Sequence, residues 1–391
     1  MKILVISPYL PLSSSGGGGT RCEAIVSILS RQHQIDLIAL YERKPANKEI
    51  ENLNGYFNNI KLEKINIFEA LINGIENILV FKSLKLAFCK NRIISRIIAE
   101  QLNANSYDLI WVNMERMAQY VVNYSKIKKI IDLQDAVAER HRLFYLMDKN
   151  ILTKLLNYYE YRSLKRYINE TCPSFEAVVV SSYEEKNKLK IDKYNRIYVA
   201  INAVNDAGII KRDGRSKDID MLFVGNMNYQ PNKDAMEYCI NEILPIVIEK
   251  HKEVKLWIIG FNGKKVLRRY ISHKNVHITD WVENVNEYYV RAKVFVAPLR
   301  IGAGVKLKIL EAMNLGLPVV TTSIGCEGMP DLNENIINVH DDPPKYALKV
   351  IDLLENPEMA TKMGDYAKRY VNKYFSLNQL TEQIDLIINR S

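Results

Sequence analysis

The chain has 391 residues, too many for one compact core and about right for two domains of ordinary size. With 48% hydrophobic and 25% charged residues it is neither a disordered nor a membrane-spanning sequence, and no apolar run reaches the roughly 18 residues that a bilayer span requires. The formal charge of +9 favours an anionic partner, whether nucleotide, nucleic acid or membrane surface.

Short apolar runs alternate with longer amphipathic stretches, the rhythm of a parallel sheet covered by helices. The first strand is expected at residues 2–6; its apolar part, stopped by Ser7 and Pro8, is too short for a signal peptide. Ser15-Gly16-Gly17-Gly18-Gly19-Thr20-Arg21 follows and leads into a helical pattern carrying Ala24, Ile25, Ile28 and Leu29. Glycines ahead of a helix let backbone amides approach an anion. Neither a Walker loop nor the dinucleotide fingerprint is matched, because Arg21 stands where the third glycine belongs, and a loop tip explains a glycine run equally well.

Further strands are expected at residues 35–40, 109–112, 129–133, 177–181 and 196–200. Between Phe81 and Ala99 lie Lys82, Lys85, Lys90, Arg92 and Arg96 with no acidic residue, interleaved with apolar side chains. Such a stretch reads either as a helix with a solvated basic face or as a surface for anionic lipid. At the end of the strand at residues 129–133, Gln134-Asp135 is followed by Arg140, His141 and Arg142. Asp135 is a candidate to orient an acceptor hydroxyl or to stabilise positive charge at a reacting carbon; a helix N-cap is the competing role.

The pattern lapses between Ile201 and Asp218, around Lys211, Arg212, Asp213, Gly214 and Arg215, which marks a domain boundary and hinge. A second set of strands is expected at residues 221–224, 255–259, 276–279, 294–297 and 318–321. His273 and His277 have a possible metal spacing but no carboxylate or cysteine beside them, so they read as structural. The five cysteines, Cys22, Cys89, Cys172, Cys239 and Cys326, lack any CxxC pairing, which argues against disulfides and zinc and for a reducing, cytoplasmic compartment.

The strongest signal runs from Pro298 to Val320. A strand ends, Gly302-Ala303-Gly304 turns the chain, and a helix over residues 305–315 is stopped by Gly316 and Pro318. Its first amides and Lys306 suit a diphosphate, while Lys308 and Glu311, three apart, share one face. A glutamate there suits a ribose diol.

This segment resembles the retaining family 4 glycosyltransferases of GT-B fold. The resemblance extends over nearly the whole chain, through the glycine loop after the first strand, Ser181-Ser182-Tyr183-Glu184-Glu185, Ile201-Asn202-Ala203-Val204-Asn205, Phe223-Val224-Gly225-Asn226-Met227-Asn228-Tyr229-Gln230-Pro231-Asn232, Trp257-Ile258-Ile259-Gly260 and Gly325-Cys326-Glu327-Gly328. It implies two Rossmann-like, doubly wound α/β domains facing a cleft: an acceptor domain at residues 1–203, a nucleotide-sugar domain at 204–370, and a C-terminal helix at 371–391 returning to the first.

On that resemblance Glu311 holds the donor ribose and Lys306 and Lys308 bind the diphosphate. Gly18, Gly19, Arg21, Gly225, Asn226, Gly304 and Glu327 complete the donor site, with Asp135, Lys308 and Glu311 nearest the chemistry. The implied donor is a UDP-sugar or GDP-sugar, the acceptor a glycan or lipid-linked glycan of cell-surface polysaccharide or glycolipid, and the location the inner face of the cytoplasmic membrane. The implied reaction is retaining, with no cofactor beyond the nucleotide sugar, no metal and no nucleic acid. This chain departs from the pattern in having Ala303 where many relatives carry a glutamate, and Asn226-Met227 and Pro231 where they often carry arginine and lysine.

Two other classes compete. A Rossmann oxidoreductase or nucleotide-sugar epimerase would share the alternation, but the glycine fingerprint is incomplete and Tyr145-Leu146-Met147-Asp148-Lys149 lies between polar helices. A nucleic-acid binder would share the charge, yet no RNA-binding aromatic motif or helix-turn-helix signature accompanies it.

Overall fold

A computed structural model of the protein describes residues 1–148, 150–189, 191, 194–204, 217–302 and 304–390. Most of the expected hinge, residues 205–216, and Ala303 lie outside the described residues. The chain forms two compact units, one of Met1–Ala203 with Leu380–Ser391 and one of Val204–Gln379.

Unit 1 holds β1 (Lys2–Ser7), β2 (Gln34–Tyr41), β3 (Asn59–Lys64), β4 (Leu109–Asn113), β5 (Lys128–Gln134), β6 (Ala177–Val180) and β7 (Ile197–Val199). They form one sheet in the order β3-β2-β1-β4-β5-β6-β7, every neighbouring pair parallel. The apolar runs that announce β1, β4 and β6 are buried on both faces, as helix-covered parallel strands must be. Trp111 on β4 is wholly buried.

Unit 2 holds β8 (Ile219–Val224), β9 (Leu256–Ile259), β10 (Val276–Ile278), β11 (Ala292–Ala297), β12 (Val319–Thr321) and β13 (Asn338–Val339). Their order is β10-β9-β8-β11-β12-β13, again parallel throughout. Phe223 and Phe295, both fully buried, stack across β8 and β11 with centroids 6.3 Å apart.

All eleven expected strands are present, and the doubly wound α/β class is the one observed. The sequence pattern did not announce β3 or β13. β3 is a sheet-edge strand whose residues are at most half-buried, and β13 has only two residues; neither carries an apolar run. The C-terminal segment also begins later than residue 371: Val371 lies within the Pro357–Tyr374 helix, and the chain joins unit 1 from Leu380. There Leu380, Ile384 and Ile387 are buried, and Gln383 accepts a hydrogen bond from the Ile201 amide at 2.9 Å.

The strand orders fix where ligands collect. In unit 1 the order reverses between β1 and β4, and in unit 2 between β8 and β11. Crossover helices leave to opposite faces at such a point, so the carboxyl ends of those strands stand over an open crevice.

Candidate functional site

At the reversal in unit 2, β8 ends at Val224 and passes into Gly225 and Asn226. Gly260, following β9, has φ +150, and a Cβ there would lie 1.9 Å from the Gly225 carbonyl oxygen. Backbone meets backbone at this point, and only glycine fits. A Cβ on Gly225 would meet Asn232 Nδ2 at 2.7 Å and Lys308 Nζ at 3.1 Å. Gly225 therefore keeps open the space into which Lys308 reaches.

Lys308 and Glu311 lie on the Leu307–Asn314 helix, whose amino end no side chain caps. The helix is shorter than residues 305–315. It starts at Leu307 because Lys306, at φ −92 and ψ 98, is still extended and serves as N-cap. The turn before it uses Gly302 at φ +151 and Gly304 at φ +69, backbone that side chains disfavour.

The Lys308 ammonium donates to Asn232 Oδ1 and lies 4.6 Å from the Phe223 ring centroid; Asn232 in turn donates to the Asn226 carbonyl at 2.8 Å. Tyr289 donates to Glu311 Oε2 at 3.3 Å. Burial pulls the Lys308 amine down to about 7, with repulsion from Lys306 adding to the shift and Glu311 opposing it. Burial also raises the Glu311 carboxyl, against its bond from Tyr289 and the charge of Lys308. Both side chains nevertheless keep some surface exposed. A cation that burial disfavours, and whose close contacts among the described residues are an amide and a ring face, is poised for an anion.

Lys306 is placed differently from the expectation of a helix lysine. Its ammonium donates to the Gly304 carbonyl and lies 3.6 Å from Glu327 Oε2, so it ties the glycine turn to the segment after β12. Thus Gly225, Asn226, Gly304, Lys306, Lys308, Glu311 and Glu327 all follow strands or their crossover turns in unit 2.

In unit 1 the glycine run is not a loop: Gly17–Gln32 is helical from Gly17, capped by Gly16 at φ +82. A Cβ on Gly18 would meet Tyr9 Oη at 2.6 Å and Gln134 Oε1 at 2.9 Å, and one on Gly19 would meet the Leu12 carbonyl at 2.1 Å. Gly19 is thus a packing requirement, while Gly18 brings the helix amino end beside Tyr9 and Gln134. Gln134 donates to Tyr9 Oη at 2.6 Å and holds φ +66 at the end of β5.

Arg21 is corrected from a diphosphate ligand to a structural ion pair. Its guanidinium is buried, pairs with Asp132 through Nε at 2.9 Å and Nη2 at 3.0 Å, and donates from Nη1 to the carbonyls of Ala200 and Ile201 at 2.7 and 3.1 Å. Its donors are consumed within the unit. Removing one member of such a buried pair costs about 3–5 kcal/mol, because it leaves the other charge buried without its counterion.

Asp135 is not a helix cap. The Val137–Met147 helix has Ala136 as N-cap, and Glu185 Oε2 accepts the Ala136 amide at 2.6 Å. Asp135 Oδ2 instead pairs with Arg140, while its buried Oδ1 meets no donor among the described residues. His277 stacks on Trp257 at 4.9 Å and His273 Nδ1 accepts the Asn275 amide at 3.2 Å, so each ring has a local packing or turn-holding role. Asn232 and Tyr289 were not legible as site residues. A neutral side chain carries no pattern, although Asn232 lies in the stretch that follows β8.

Residues 218–356 match the family model described as glycosyl transferases group 1, and they contain every unit 2 site residue named above. A 44.6 kDa protein of the cps region of Klebsiella pneumoniae is 25% identical over 368 residues, covering 91% of each chain. Spore coat protein SA of Bacillus subtilis is 27% identical over 182 residues, 42% of this chain and 47% of that one. Among solved structures, Anabaena HepE in complex with UDP-glucose superposes with a TM-score of 0.67 at 12% identity, covering 100% of both chains. TarM superposes with a TM-score of 0.66 at 13% identity, covering 99% of this chain and 98% of that one. The fold is GT-B.

Proposed function

We propose that this glycosyltransferase of group 1 type and GT-B fold moves a sugar from UDP to a lipid-linked glycan in the assembly of a cell-surface polysaccharide. The observation that carries the reading is the Lys308–Glu311 pair, set on an uncapped helix beside Gly225 and Asn232 where the unit 2 sheet reverses. UDP is favoured over GDP by the UDP-glucose complex of HepE and the UDP complex of TarM. A polysaccharide product is favoured by the relative from a cps region.

The departing diphosphate gains charge as the glycosidic bond breaks. Lys308 and the helix amides after Lys306 lie where that charge would develop, and fixed dipoles in a partly desolvated site stabilise it strongly. Glu311 holds the ribose diol and keeps the nucleotide in register. The acceptor belongs to unit 1, where Asp135 receives or orients its hydroxyl. Retention of configuration and independence from metal ions are part of this reading, because cations and amides of the chain neutralise the diphosphate.

Isothermal titration with UDP, GDP and NAD in metal-free buffer tests it. UDP binding that Glu311→Ala weakens by about 2 kcal/mol, roughly thirtyfold, is expected for loss of a charge-assisted pair of hydrogen bonds. Binding of NAD alone would return the chain to the oxidoreductase class.

A further inference from the structure

The Ile67–Leu79 helix of unit 1 is inside out. Asn73 and Asn77 are its buried residues, 6% exposed each, and they donate to the carbonyls of Lys90 and Ser83 at 2.9 and 2.8 Å. Its apolar side chains face away from the protein: Ile67, Phe68, Leu71, Ile72, Ile75, Ile78 and Leu79 are between 51% and 78% exposed. A helix of a globular protein normally does the reverse.

The start of the Ile151–Thr171 helix adds Ile151, Leu152, Leu155 and Leu156, all exposed. The two helices are joined directly. Tyr159 donates to the Asn77 and Lys82 carbonyls at 3.1 and 2.8 Å, its ring lies 5.6 Å from that of Phe81, and Arg166 donates to the Phe81 carbonyl at 2.9 Å.

Beside them, between the Leu84–Cys89 helix and the Ile151–Thr171 helix, opens a cavity of about 300 Å³ with two kinds of wall. Leu84, Phe88 and Leu156 are apolar, and Lys85, Arg116 and His141 are basic. Its acidic member, Glu160, is spent on capping the Leu84–Cys89 helix, accepting from Ser83 Oγ at 2.5 Å and the Leu84 amide at 2.7 Å. Neither Lys85 nor Arg116 has a carboxylate within 4 Å among the described residues. Arg116 Nε and His141 Nε2 are buried with no hydrogen-bond partner among them. Asn157 meets the far side of the His141 ring, 2.9 Å from Nδ1. Glu115 beside Arg116 is fully buried. Two cations with no carboxylate in hydrogen-bond contact among the described residues, Glu115 being their buried neighbour in charge, stand at the foot of an apolar wall and fit a ligand with an anionic head and a hydrocarbon tail.

We propose that this cavity binds the phosphate of a lipid-phosphate-linked acceptor, and that the inverted Ile67–Leu79 helix with the start of the Ile151–Thr171 helix lies in the surface of the anionic bilayer that holds it. The assignment rests on the glycosyltransferase reading above and names its acceptor class. A bilayer is preferred over a second copy of the chain because the segment that follows the helix carries Lys82, Lys85, Lys90, Arg92 and Arg96 with no acidic residue between Phe81 and Ala99, against Glu69 and Glu76 on the helix itself, the latter paired with Lys90 at 3.1 Å. Two copies, each of charge +9, would bring like charge to like.

Flotation of the full chain with three vesicle types tests this: phosphatidylcholine alone, with phosphatidylserine, and with a polyprenyl phosphate. Partition onto both anionic types, strongest onto polyprenyl phosphate, is expected. Ile75→Glu should reduce partition onto both by about tenfold or more. The double variant Lys85→Ala/Arg116→Ala should keep the phosphatidylserine partition within about threefold and lose the preference for polyprenyl phosphate. UDP titration of the same variants separates the two readings, since the binding site for UDP lies in unit 2 and its Kd should not change. Absence of UDP binding would sink the glycosyltransferase reading, whereas unchanged UDP binding without flotation would sink only this one. Flotation that Ile75→Glu leaves intact overturns the membrane face. Competition by inorganic phosphate alone assigns the cavity to free phosphate and overturns the lipid acceptor. A dimer in light scattering that Ile75→Glu splits, with no flotation, overturns it in favour of self-association.

Discussion

Lys308 sets the strongest residue-scale constraint. Its amine is drawn down to about 7 by burial and by Lys306, so near neutrality the protein without ligand holds it half protonated. A diphosphate brought against it favours the charged form and raises that value. Binding therefore takes up a proton, and affinity for UDP should fall as pH rises above 7, by up to about tenfold per unit. Above pH 7 the terminal phosphate, with its second pKa of about 6, is already ionised and adds no slope of its own. Titration in two buffers of different ionisation enthalpy at pH 8 reads the proton directly. Lys308→Met should bind weakly and show neither the slope nor the uptake; a wild-type Kd flat from pH 7 to 9 would remove Lys308 from the diphosphate. Arg21 illustrates the opposite case, for its residue type announced an anion ligand while its partner, Asp132, lies 111 positions away. Charge in a sequence is visible, but what neutralises it is a matter of tertiary structure.

Elements were legible in proportion to how fully they are buried. Most of the expected strands are apolar runs covered on both faces, β7 and β10 being half-buried exceptions, and the stop of the Leu307–Asn314 helix at Gly316, φ +68, was readable because the residue types themselves dictate it. Its start was not, since Val305 and Lys306 fit a helical pattern and only the backbone turn at Gly302 and Gly304 delays it. The Val137–Met147 helix is a similar lesson. The side chain that serves its amino end is not that of the neighbouring Asp135 but that of Glu185, 49 positions on, in a completely buried contact of 2.6 Å to the Ala136 amide. Losing it leaves that amide buried without a partner, which costs about 1–3 kcal/mol. Glu185→Ala should lower the unfolding free energy read from urea titration by that amount, seen as a lower midpoint at unchanged m-value, without altering the Kd for UDP. A variant as stable as the wild type would mean that another group caps this helix.

At the scale of the whole molecule, two units of similar construction were readable from the repeated strand rhythm and the polar break after Ile201, whereas the assignment of the nucleotide sugar to the second came from the resemblance and not from that rhythm. The residues proposed to bind UDP all belong to Val204–Gln379. Ligand that binds only the native state stabilises it by mass action, about 2.7 kcal/mol at a concentration a hundred times Kd. For a unit of this size that amounts to roughly 5–10 °C in Tm. If scanning calorimetry resolves two transitions, UDP should raise the one belonging to Val204–Gln379 and leave the other in place, and Glu311→Ala should abolish the shift. If the chain melts as a single cooperative block, the whole transition should move by a smaller interval, because the same free energy is spread over a larger unfolding entropy. No shift at saturating UDP in the wild type would mean that the Lys308–Glu311 site does not hold the nucleotide.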